Sequence, residues 1–77
     1  MAQSKAWNVF VEHNGCEYRV DTIWFDARDT ADEVLKSVVE HDGYSPAVYV
    51  RPFEANEVFL EARGKLLARF LGRLEGK

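Results

Sequence analysis

An α+β fold follows from three features of the sequence. An Asn14-Gly15 pair separates two alternating apolar runs, "TADE" at 30–33 precedes a helical apolar spacing, and a β-branched run occupies 47–51. Together they predict one domain over 1–77 in the order β-β-α-β-α. The boundaries are a hairpin over 6–25, a helix over 30–42, a strand over 47–51 and an amphipathic C-terminal helix over 55–74. The sheet is predicted to be three-stranded and fully antiparallel, in the order 3-1-2.

The hairpin comes first. Asn-Gly is the strongest short hairpin signal, because a two-residue type I′ turn needs positive φ at both positions. Pairing His13 with Cys16 sets Val11 opposite Tyr18, Val9 opposite Val20 and Trp7 opposite Thr22. A slip of one residue would instead set Val9 against Asp21, so the apolar pattern selects the register. One unfavourable like-charge pair remains, Glu12 opposite Glu17. Phe10, Ile23 and Phe25 are expected on the other face.

"VEHNG" at 11–15 is echoed by "VEHDG" at 39–43, and each word holds one of the two histidines. The second copy ends a helix. Thr30 and Glu33 form a capping box, and Ala31, Val34, Leu35 and Val38 share a face. That face is expected to cover Trp7, Val9 and Tyr18. Gly43 can take the left-handed conformation that stops a helix. The two words therefore serve two structural jobs, a turn and a cap, rather than a repeated ligand site.

Ser45-Pro46 makes a turn into 47–51, where Val48 and Val50 face one way and Tyr49 and Arg51 the other. A right-handed crossover would lay this strand beside the first. Downstream, Phe59, Ala62, Leu66, Leu67, Phe70, Leu71 and Leu74 recur at helical spacing, flanked by Arg69 and Arg73. Such a stripe exceeds what a small sheet covers. Phe59, Leu66, Leu67, Phe70, Leu71 and Leu74, with Arg69 and Arg73 at the rim, are thus the candidate protein interface of a homodimer.

Asp29, Thr30, Ala31, Asp32, Glu33, Val34 and Ser37, then His41, Asp42, Gly43, Tyr44 and Pro46, followed by "VYVR", carry a resemblance. The stretch looks like short proteins of unknown function encoded by bacteria and their phages. In those, a strand pair leads into an acidic-capped helix ending "HDGYP". The resemblance covers roughly 7–51 and implies that fold, with no activity attached.

Composition narrows the function classes. The chain has 77 residues, 47% hydrophobic and 30% charged, the profile of a folded domain. One cysteine, Cys16, excludes an intrachain disulfide and any two-cysteine metal motif. "MAQSKAW" lacks an apolar signal region, and no apolar run approaches the roughly 20 residues of a membrane span. A cytoplasmic protein without membrane contact is expected. Residues 1–60 carry eleven acidic and five basic side chains, and 61–77 five basic and two acidic.

His13, Cys16 and His41 are the only metal-type ligands besides carboxylates, and nothing in their spacing brings them together. Cys16 with His13 lacks the orienting group and oxyanion site of a nucleophile. "DARDTADE" does not match a calcium loop. No enzyme, metal or cofactor is expected. The expected function is a non-catalytic protein-interaction module that self-associates through its C-terminal helix. It would bind another, unknown protein, as phage- or mobile-element-type inhibitors and adaptors do. The alternative is a single-stranded nucleic-acid binder stacking bases on Phe10, Tyr49 and Arg51, with the basic tail following phosphates. The acidic body argues against it.

Overall fold

The computed structural model describes residues 3–70 and is α+β. Strands β1 (Ser4–His13) and β2 (Cys16–Asp26) form the hairpin, and helix α1 (Ala31–Glu40) follows. Strands β3 (Tyr49–Pro52) and β4 (Leu60–Glu61) precede helix α2 (Gly64–Phe70). The antiparallel order 3-1-2 is present, but a fourth strand extends it: the sheet reads β3-β1-β2-β4, with β4 parallel to β2. The sheet is therefore mixed, not fully antiparallel.

The turn has positive φ at both Asn14 and Gly15, 55° and 80°. Near it the pairing is as the sequence predicts, with His13 on Cys16, Glu12 on Glu17 and Val11 on Tyr18. Beyond Phe10 the register shifts by one, so Val9 faces Asp21 and Trp7 faces Ile23. A bulge in β2 at Val20 causes the shift, because one extra residue there opposes β1. Its effect is on the faces. Tyr18, Val20, Ile23 and Phe25 all join the side of Val9 and Val11. The expected placement of Ile23 and Phe25 with Phe10 is thereby corrected.

Helix α1 starts as predicted. The Thr30 hydroxyl accepts from the Glu33 N–H, and the Glu33 carboxylate accepts from the Thr30 N–H at 2.8 Å. It ends at His41, followed by Gly43 at φ +78°. Val38 joins Val9, Val11, Val20, Tyr44, Val48 and Ala62 in the core, with Leu35 and Val39 against it.

The helix expected over 55–74 begins only at Gly64. Gly64 has φ +56°, which interrupts a right-handed helix. Upstream, Glu57 N–H turns back to the Glu54 carbonyl, and the chain then pairs with β2, where Ala62 N–H donates to the Arg19 carbonyl at 2.9 Å. Leu66 and Leu67 pack on the core cluster. The chain thus crosses the sheet edge along β4: Phe59 lies on the Phe10 face, Leu66 and Leu67 on the helix-covered face.

Candidate functional site

Alternation along β1 and β3 sends Asn8, Phe10, Tyr49 and Arg51 to the face away from α1. Glu17 and Arg19 of β2 share that face. The structure does bring Phe10, Tyr49 and Arg51 together, but not as an open platform. The Phe10 ring is fully buried. Tyr49 stacks on it with centroids 6.0 Å apart, and Phe59 meets its edge at 5.8 Å and 78°. The Arg51 guanidinium lies 3.9 Å from the ring centroid. A base could reach Phe10 only by displacing Phe59 and Arg51.

Arg51 is also clamped between carboxylates. It donates to both Glu17 oxygens at 2.7 and 2.9 Å and to Glu57. The Tyr49 hydroxyl donates to Glu17 as well. The bidentate Arg51 contact, then the tyrosine, hold the Glu17 carboxyl down at about 2. Burial, then the adjacent Glu17, push the Tyr49 hydroxyl up to about 12. Glu17 raises Arg51 above its ordinary value, and Glu57 adds to this. The like-charge pair Glu12–Glu17 is relieved by this cation.

A second set lies beside it. Arg19 donates to Glu61 at 3.1 and 2.7 Å and to the Thr22 hydroxyl at 2.6 Å, and that hydroxyl donates to Asn8 Oδ1 at 2.6 Å. The Arg19 guanidinium sits 4.9 Å from the Phe59 centroid. These contacts fasten residues 57–61 across the sheet. They leave a shallow surface groove of about 440 Å³ lined by Arg51, Pro52, Glu54, Asn56 and Glu57. Its cation is already neutralised by two carboxylates, so it offers no strong anion site.

The expected interface stripe is divided. Phe59 is half-buried on Phe10, and Leu66 and Leu67 are half-buried on the core. Arg69 and Phe70 belong to the α2 backbone. Leu71, Arg73 and Leu74 lie outside the described residues. Cys16 is exposed at the hairpin end opposite His13. Among the described residues no three His, Cys, Asp or Glu side chains converge as a metal site, and no helix is long and apolar enough to cross a membrane.

Sequence reasoning missed Trp24. It is 68% exposed, and Phe53, Val58 and Leu60 are also large exposed apolar groups. Trp24 lies opposite Ala6, whose carbonyl accepts from the Phe53 N–H on its other side. The three residues thus form a row across the far end of the sheet. The shift of apolar phase between Val20 and Ile23 was the available signal, since it marks a bulge and sends Trp24 away from the core.

No family model, curated protein or solved structure matches this chain.

Proposed function

We propose that this chain is a small non-catalytic interaction module whose partners are protein chains, a second copy of itself among them. The carrying observation is Trp24, a large aromatic left at the surface at the open end of β2. Aromatic residues of this kind anchor protein interfaces because they bury a large area with few rotatable bonds. Leu66 and Leu67, in the described part of the C-terminal helix, pack on the core, which supports the sheet as the contact surface. Sedimentation equilibrium at micromolar concentration tests the reading. The expected mass is twice the 8.8 kDa of the chain. A chain that stays monomeric at millimolar concentration rejects self-association.

A further inference from the structure

Among the described residues, the outer edge of β2 is open from Thr22 to Asp26, since β4 pairs only with Tyr18 and Arg19. The register decides which backbone groups face that edge. Ala27 N–H donates to the Gln3 carbonyl at 2.8 Å. In an antiparallel ladder hydrogen-bonded pairs alternate, so Phe25 with Lys5 and Ile23 with Trp7 exchange the bonds to β1. Thr22, Trp24 and Asp26 therefore turn their N–H and C=O outward.

Two of those groups are already satisfied. Thr22 N–H donates to Asp21 Oδ1 at 2.8 Å, and the Asp26 carbonyl accepts from Asp29 N–H at 2.9 Å. Among the described residues, the groups left are the N–H of Trp24 and Asp26 and the C=O of Thr22 and Trp24.

We infer that this edge pairs antiparallel with the same edge of a second copy, about a two-fold axis at Trp24. In that register the two Trp24 residues exchange both hydrogen bonds. Each Asp26 N–H meets the second copy's Thr22 carbonyl. The only donor and acceptor facing each other without need are the Thr22 N–H and the Asp26 carbonyl, the two already held within the chain. Neighbouring registers lose this match. Centred on Ile23, the Trp24 carbonyl faces the occupied Thr22 N–H. Centred on Phe25, the Thr22 carbonyl faces the Arg28 N–H, which Asp26 Oδ1 already holds at 2.9 Å.

The side chains agree with the same axis. Trp24 stands beside Trp24 on one face. On the other, half-buried Ile23 meets the second copy's half-buried Phe25, extending a core that both already touch. The Asp26 carboxylate is paired with Arg28 at 3.1 Å, so no bare charge lies at the junction. An exposed edge with an aromatic centre is a template for another strand, and a two-fold contact closes after one addition.

This surface rests on the self-association reading above and is tested separately from it. Trp24→Pro removes an outward N–H and no bond to β1, and edge strands tolerate proline. Sedimentation should show dimerisation weakened ~10-fold or more, with the far-UV circular dichroism still that of the folded chain. In a Cys16→Ser background, Trp24→Cys should form an interchain disulfide with itself under mild oxidation, because directly opposite Cα atoms lie about 5.5 Å apart. Thr22→Cys should link neither to itself nor to Trp24→Cys. Undiminished dimerisation of Trp24→Pro, or an unlinked Trp24→Cys while the wild type dimerises, overturns this surface and leaves self-association standing. So does a Trp24 amide that stays protected from exchange on dilution to monomer, since the edge would then be covered from within the chain. A wild type that never dimerises defeats self-association itself.

Discussion

Glu17 shows how a local defect becomes a tertiary contact. Its place opposite Glu12 is readable from the hairpin spacing, and so is the parity that puts Tyr49 and Arg51 together. The clamp itself was not readable, because Glu17 and Arg51 are separated by 34 positions and meet only through the β1–β3 pairing. The clamp makes a pH prediction with a defined sign. The Glu17 carboxyl titrates at about 2 in the fold against a usual 4.5, so folding favours its ionised form. That stabilisation is complete above about 4.5 and is lost as pH falls from there through 2. Its size is limited by solvent, since about a third of each partner's side chain stays exposed. Urea midpoints of wild type and Glu17→Gln should differ at pH 7 and converge near pH 2. Parallel curves would put the acid sensitivity on another group.

At the scale of elements, local chemistry was legible wherever the cause was local. The Asn14-Gly15 turn and the Thr30–Glu33 box stand as the residues dictate, because both act within a few positions. The bulge at Val20 and the late start of α2 were not seen. In β2 the apolar set changes phase, from Tyr18 and Val20 to Ile23 and Phe25, and a strict alternation hides that change. In the last segment, helical spacing described Phe59 and Leu66 alike, yet the contacts of Phe59 with Phe10 and of Glu61 with Arg19 draw residues 59–61 into extended chain. The end of α1 gives the test. A Cβ at Gly43 would meet nothing within 4 Å, so the resistance at that atom comes from the backbone at φ +78°. Gly43→Val should cost ~1–3 kcal/mol in chemical denaturation, through strain. A midpoint equal to that of the wild type would mean that α1 finds another stop.

For the molecule as a whole, the order β3-β1-β2 was legible because two short connections and a right-handed crossover leave few alternatives. The parallel β4 was not, since Glu61 reaches Arg19 across 42 positions and no local pattern announces so distant a pairing. Counting apolar residues on one presumed helix put the surplus at the C-terminus, of which Leu71 and Leu74 lie outside the described residues; among the described residues the large exposed apolar groups are Trp24, Phe53, Val58 and Leu60.

The crossing at β4 also sets the sequence in which the parts let go. The hairpin closes through neighbours in the chain, while the strap from Phe53 to Ala62 returns over a long loop and is tied by a two-residue strand and the two arginine clamps. Long-range closures carry the larger entropy cost and bury less here, so the strap should open as a unit well before the hairpin. Amide exchange would then fall into two tiers, with Ala62 far faster than Val11. Equal protection at both amides would instead mean that the fold opens in one step. When the strap does lift, Phe59 leaves the edge of the Phe10 ring, while Arg51, still held by Glu17, keeps its face covered.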